Sequence, residues 1–257
     1  RAAMFERRAQ RPKPFVDDKV LVSWNALAIG AIAHCGLLWG DAAVLAIAER
    51  AYALIRTTLW RVEGADVTLA RLVRGSQTRG TGFLDDYAYL ADAALDLYEA
   101  TGKAAYVADA RALASAIVKR FYDERDPGFF FTPSDGEVLV CRGKDPYDHA
   151  VPNAAAVACR VCLRLGTLVD ADLAAIAERV LVKMTDSAVQ NPLGLSSWVL
   201  AIDRLARGST DIVIVGAFDD PRTTALVRAA ASVHVPHRNL ARVDTRAGVR
   251  CNGALVH

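Results

Sequence analysis

Hydrophobic positions along this chain fall into long helical runs, punctuated by glycine, proline and acidic residues, with only short alternating stretches between them. A nearly unbroken apolar run predicts a first helix over about 19–38, broken at Gly40-Asp41, and a second over about 42–60. Residues 61–82 are polar and Gly-rich, with 67–73 able to form a short strand pair. A third helix opens in Gly82-Phe-Leu-Asp-Asp-Tyr-Ala-Tyr-Leu90 and runs to about 100. Thr101-Gly102 caps it, and a fourth follows to about 122. Gly128-Phe-Phe-Phe-Thr132 and Glu137-Val-Leu-Val-Cys141 flank Pro133-Ser-Asp-Gly136, which predicts a β-hairpin. Helices are then expected to about 168, over 171–189, and from Asn191-Pro-Leu-Gly194 to Arg207-Gly208. Beyond Gly208 the pattern changes to strand (211–216), helix (221–232) and strand (239–243).

Acid-rich helix starts recur at Asp17-Asp18, Asp85-Asp86 and Asp145…Asp148, about 65 residues apart. Each is followed by an apolar helix and then a more amphipathic one. Successive helical hairpins of this kind predict a mainly α chain, a partial (α/α) toroid over 1–208 with a small α/β appendix over 209–257. The first helix is expected to be buried on all sides. The inner-helix starts should gather at one end of the ring, where their partial positive charge favours carboxylates or anionic groups.

Charge and composition narrow the function. Hydrophobic residues make up 53% of the 257 and the net charge is only +2, with no basic stripe, so nucleic-acid binding is not expected. Five cysteines in mostly apolar contexts suit a reducing, cytoplasmic setting, and Cys159 and Cys162 read as small core residues. Residues 20–39 approach membrane-spanning length, but Ser23, Asn25 and His34 interrupt them, so no membrane segment is expected. No metal or cofactor motif is discernible. The opening Arg1-Ala-Ala-Met-Phe-Glu-Arg-Arg reads as a helix already under way, so a natural start further upstream is expected, and with it an apolar edge on the incomplete ring.

Asp85, Asp86 and Asp148 are the candidate catalytic carboxylates. Asp85 and Asp86 point about 100° apart on a helix, so either would need a partner across the ring, roughly 5–5.5 Å away for a retaining glycosidase or 6.5–9.5 Å for an inverting one. Helix capping explains the same aspartates without catalysis. Trp24 and Tyr87 would form a stacking platform for a sugar, or else fill the barrel axis. Asn25 and Asn153 would supply hydrogen bonds, and His149 an acid/base group beside Asp148. Asp17 and Lys19 belong to the same wall, and Arg8, Arg11, Lys19 and Arg142 would neutralise the acids or bind an anion.

Several runs resemble a known family: Phe5…Arg8…Arg11-Pro…Asp17-Asp18-Lys19-Val-Leu…Trp24-Asn25-Ala-Leu27, Gly82-Phe-Leu-Asp-Asp-Tyr-Ala88, Tyr98-Glu-Ala-Thr101, Gly128-Phe-Phe-Phe-Thr132, Asp148-His-Ala-Val-Pro-Asn153 and Ile212-Val-Ile-Val-Gly216. In order and spacing they are similar to the C-terminal half of the thioredoxin-domain-containing proteins related to spermatogenesis-associated protein 20. The resemblance implies a six-hairpin glycosidase-like barrel with a small α/β end, and an upstream thioredoxin-like domain as partner in the full-length protein. The chain departs from the family at Ala26, where glycine is usual, and at Ala150-Val-Pro-Asn153 in place of Pro-Ser-Gly-Asn. Two functions are carried forward. One is a carbohydrate-active or sugar-binding barrel, an epimerase/isomerase or a hydrolase using carboxylates at its mouth. The other is a non-catalytic module that binds a ligand or partner beside a thioredoxin-like domain.

Overall fold

The chain is represented by a computed structural model that describes residues 1–64 and 66–244; Cys251, His257 and the rest of 245–257 lie outside the described residues. Helices α2 (Val22–Trp39), α4 (Leu84–Thr101), α6 (Ala154–Leu168) and α8 (Ser196–Arg207) follow one another around the inside of an arc, α2 packing on α4, α4 on α6 and α6 on α8. Helices α3 (Ala42–Thr58), α5 (Ala104–Phe121) and α7 (Ala171–Gln190) return along the outside. This is the helical-hairpin ring the sequence predicts, and the described part of it is open between α2 and α8. A short N-terminal helix, α1 (Ala2–Ala9), buries none of its residues.

The turns explain themselves locally. Gly40 ends α2 at φ 64° and donates to the carbonyls of Gly36 and Leu37, and Asp41 then caps α3 by accepting from Ala43 N and Val44 N. Gly102 ends α4 in the same left-handed conformation, φ 74°. Asn153 caps α6 and Asp220 caps the last described helix, α9 (Pro221–Ser232), with Pro221 at its first turn.

Between α3 and α4 the polar stretch forms antiparallel strands. β3 (Asp66–Arg74) pairs with β2 (Trp60–Glu63), β4 (Gln77–Thr81) and β1 (Val20–Leu21), in registers that include Trp60↔Leu69, Ala70↔Thr81 and Val20↔Val73. β1 thus clamps the start of α2 to this sheet. After α5, β5 (Tyr122–Asp123) pairs with β6 (Gly128–Phe129). β7 (Thr210–Val215) and β8 (Arg238–Val243) are parallel and joined by α9. Ile214, Val227, Ala231 and Leu240 of this unit share a small core with Leu37 and Ala100, at the ends of α2 and α4.

Two expectations fail. The hairpin over 128–141 does not form: Phe130 N donates to Phe121 O and Phe131 N to Gly143 O, so 128–131 is paired elsewhere. Val138 and Val140 are left fully exposed. Nor is α2 buried on all sides. Val22, Ala26, Ile29, Ala33 and Gly36 face the body, while Trp24, Ala28, Ala31 and Leu38 face outward, because its packed neighbours all lie on one side.

Candidate functional site

The starts of α2, α4, α6 and α8 do gather at one end, and polar side chains link each to the next. Asp86, fully buried in the first turn of α4, accepts from Phe83 N (2.9 Å) in its own cap and from Ser23 N (3.0 Å) in the first turn of α2. One carboxylate therefore caps two helices. Arg71, reaching in from β3, closes it with contacts of 2.8 Å to Asp86 and 3.0 Å to Asp85. Burial and the adjacent Asp85 push Asp86 up to about 7, against the pull of Arg71 and the two N–H donors.

Tyr89, one turn further along α4, donates its hydroxyl to Pro152 O, just ahead of the α6 cap. Burial, and then the negative charges of Asp85 and Asp148, raise its pKa, so acids from two successive inner-helix starts converge on this ring. Asp148 accepts from Asn153 N (2.7 Å), Ser197 N (2.8 Å) and the Ser196 hydroxyl (3.0 Å), which ties the entry of α6 to the first turn of α8. Burial raises it, but those donors outweigh burial and hold it below the usual carboxylate range.

The remaining expected site residues scatter. Asp17 and Lys19 pair with each other at 3.2 Å on the surface, and Asp18 pairs with Arg74. Arg8 and Arg11 are exposed. Asn25 donates to Leu21 O at 2.8 Å, a contact within the first turn of α2. Asn153 caps α6 by accepting from Ala155 N and Ala156 N. Arg142 donates to carbonyls of Thr132 and Arg120 and lies over Phe130, rather than meeting the mouth acids. His149 is exposed and contacts Asp145 at 2.8 Å, not its neighbour Asp148. Trp24 and Tyr87 do not form a platform. Trp24 is 64% exposed on the outer face of α2, whereas Tyr87 is sealed against Phe121 and accepts from Leu69 N at 2.9 Å. The helical step that turns Asp86 toward α2 turns Tyr87 toward α5 and β3.

Arg71 escaped the sequence reading, although a signal existed: Val67, Leu69 and Arg71 share the inward face of an alternating strand. A second missed feature is a ladder of charge between α4 and α6. Asp92, Asp96 and Glu99 sit three or four residues apart and meet Arg164 at 2.9, 2.8 and 2.9 Å, with Arg160 also on Asp92. Burial pushes Asp96 up to about 7.

The third missed feature is a cavity of about 420 Å³ beside the α6 and α8 starts. Phe129, Met184 and Trp198 supply apolar wall, while Lys144, Asp145 and Gln190 supply polar groups. Trp198 Nε1 donates to Pro146 O at 2.7 Å, fixing the 144–147 loop over it. Tyr147, half exposed, stands at the edge. Asp126, also lining the cavity, is held below its usual range by Lys183 and then Lys144, and Asp145 by His149 and then Tyr147 N. Cys159 and Cys162 are fully buried, and burial pushes the Cys162 thiol up to about 12, so they behave as core residues. Among the described residues no group of three or more His, Cys, Asp or Glu is arranged to hold a metal ion.

An arc of helical hairpins is a fold shared with the (α/α)-toroid glycoside hydrolases. A GH76 α-mannanase from Bacteroides thetaiotaomicron superposes with a TM-score of 0.57 at 14% identity, covering 85% of this chain and 57% of that one. A family 105 glycoside hydrolase from C. acetobutylicum gives 0.51 at 12% identity, covering 71% and 56%. At these identities the likeness is one of fold. By sequence, the chain is homologous to spermatogenesis-associated protein 20. The human protein is 30% identical in a 254-residue alignment that covers 94% of this chain and 32% of the relative, and the mouse protein is 29% identical over the same shares. The chain thus spans about a third of the length of the curated relatives it matches. No family model matches it.

Proposed function

We propose that this barrel binds a neutral saccharide in the cavity beside the α6 and α8 starts, and binds it without cleaving it. The observation that carries the reading is the cavity itself. Its volume of about 420 Å³ falls in the range of small-ligand sites, roughly 300–1,000 Å³. Apolar wall, an aromatic edge at Tyr147 and side chains able to donate and accept are what a sugar ring requires. Its charges are internally balanced, Lys144 and Lys183 meeting Asp123 and Asp126, which suits a neutral ligand better than an anion. Fold likeness to glycoside hydrolases points the same way by analogy.

Binding is preferred to hydrolysis because glycosidic cleavage needs one carboxyl held protonated near the bond and a second one ionised. Asp126 and Asp145, the carboxylates at the cavity, are both held low. Asp86, the mouth carboxyl that is raised, has no exposed surface and is committed to two helix caps. The alternative, a partner-binding module beside a thioredoxin-like domain, is favoured by the solvent-exposed apolar run Val138-Leu-Val140.

Calorimetric titration with mannose-, glucose- and N-acetylglucosamine-based mono- and oligosaccharides tests the proposal. We expect one of them to bind, Tyr147→Ala to weaken binding about tenfold, equivalent to ~1.4 kcal/mol, and Met184→Trp to abolish it by filling the cavity. No heat from any sugar, or heat unchanged in both variants, would move the site elsewhere. Release of reducing sugar would restore the hydrolase reading.

A further inference from the structure

The polar groups around the cavity beside the α6 and α8 starts are of two kinds, those already spent inside the protein and those still free. Lys144 is spent. It donates to Asp123 Oδ2 at 2.7 Å, to Asp126 O at 2.7 Å and to Asp126 Oδ2 at 3.2 Å, which uses every N–H of an ammonium. It is a strut between the β5–β6 turn and the 144–147 loop. Lys183 donates to Asp126 Oδ1 alone and keeps N–H groups to spare. Ser187 and Gln190 are exposed, and among the described residues their side chains make no hydrogen bond. Lys183, Ser187 and Gln190 lie at i, i+4 and i+7 of α7, and all line the cavity. The free groups therefore form one row along one face of a single helix. At 1.5 Å per residue the row is about 10 Å long, and a single pyranose ring spans only part of it.

Each end of the row meets a different wall. At the Gln190 end stands the loop that carries Tyr147: Asp148 N donates to Gly194 O at 2.9 Å and Trp198 Nε1 to Pro146 O at 2.7 Å, so 146–148 runs beside the segment that leaves α7. At the Lys183 end stands the β5–β6 turn, because Lys183 holds Asp126 and Phe129 follows on β6. Each end thus offers an aromatic side chain and a free polar one, Tyr147 with Gln190 and Phe129 with Lys183. An aromatic surface suits the C–H face of a sugar, and the polar row suits its hydroxyls. The two ends are unequal. Tyr147 is half exposed and presents its ring, whereas Phe129 is almost wholly buried.

We infer that the cavity holds two sugar subsites in line, with Ser187 between them, so that its ligand is a disaccharide or a longer chain rather than a single sugar. The inference rests on the saccharide reading above. A lone monosaccharide takes the Tyr147–Gln190 end, and the second ring of a disaccharide reaches Lys183. Calorimetry on matched pairs tests it: mannose with mannobiose, glucose with maltose and cellobiose, and N-acetylglucosamine with its dimer. We expect the disaccharide of the recognised sugar to bind about tenfold tighter than the monosaccharide, the scale of one or two added hydrogen bonds. Gln190→Ala should weaken both ligands about fivefold. Lys183→Met, which keeps the alkyl stem, should weaken the disaccharide about tenfold and leave the monosaccharide unchanged. Lys183 and Asp126 are an exposed pair, so the fold should not depend on it. Equal affinity for the two ligands, or a Lys183→Met variant that weakens both or neither, would reduce the cavity to one subsite and overturn the inference while the saccharide reading stands. No heat from any sugar would remove both.

Discussion

At the scale of single residues, Asp86 is the point on which the mouth depends. With no solvent access, it receives two backbone N–H groups and a guanidinium, so its loss strands both N–H donors and leaves Arg71 with Asp85 alone. Asp86→Ala should therefore lower the unfolding free energy by about 3 kcal/mol, the scale seen when one partner of a buried pair is removed, measurable by urea denaturation. Its ionisation predicts an unusual pH dependence. Asp86 and Asp96 are each pushed up to about 7 in the folded chain, against about 3.9 for an unfolded aspartate. Between those values the native state holds more protons than the unfolded state, so stability falls as pH rises from about 4 to 7. The carboxylates that are held low, such as Asp92 and Asp148, act in a different window: their contribution is lost only below about pH 4. The urea midpoint should therefore be higher at pH 5 than at pH 7.5, with the difference reduced in Asp96→Asn; a flat profile would mean both groups are already ionised at pH 5. The pair Asp85-Asp86 was legible in the sequence as a helix start, and so was Asn153. The network was not, because its hub, Arg71, comes from a strand 15 residues away, and no spacing rule links a strand residue to a helix cap.

Among the elements, hairpin packing sets the tolerances. A methyl added at Gly166 on α6 would sit 2.5 Å from the Ala174 side chain on α7, closer than any real contact. Gly166→Ala should cost about 1–3 kcal/mol through overpacking, despite the better helix propensity of alanine, and a lowered thermal midpoint by circular dichroism would show it. The helices themselves were readable from apolar runs and caps, several to within a residue or two. The segment 128–141 was misread because its β-branched and aromatic residues with a Pro-Ser-Asp-Gly turn satisfy every local rule for a hairpin. Tertiary hydrogen bonds donated by Phe130 N and Phe131 N to the Phe121 and Gly143 carbonyls then claim one arm. The face of α2 was misjudged for a related reason: an apolar run says that a surface avoids water, not which neighbour covers it.

For the whole molecule, the α/β unit is a buttress rather than a pendant. Arg204 of α8, buried and with its pKa lowered to about 10 by burial, donates to Asn239 and His237 O in and beside β8. Arg242 donates to Ala100 O at the end of α4. Deleting 209–257 should therefore lower the melting temperature by several degrees, since about 1 kcal/mol corresponds to 2–4 °C in a chain of this size; an unchanged melt would make the unit an independent appendage. The ring was legible from its repeat. The cavity was not, since it is a gap between several segments spread over residues 126–198. The double cap at Asp86 has, finally, a consequence in time. It joins groups 63 residues apart, and closing a loop of that length costs about 4 kcal/mol in chain entropy before any bond repays it. Each helical hairpin assembles from contacts near in sequence and can form early, so the seam between hairpins closes last. A late contact of this kind is absent from the transition state, and its loss speeds unfolding while leaving refolding almost untouched. The carboxylate that staples two hairpins at the mouth then acts as a latch, setting how long they stay joined more than how fast they meet.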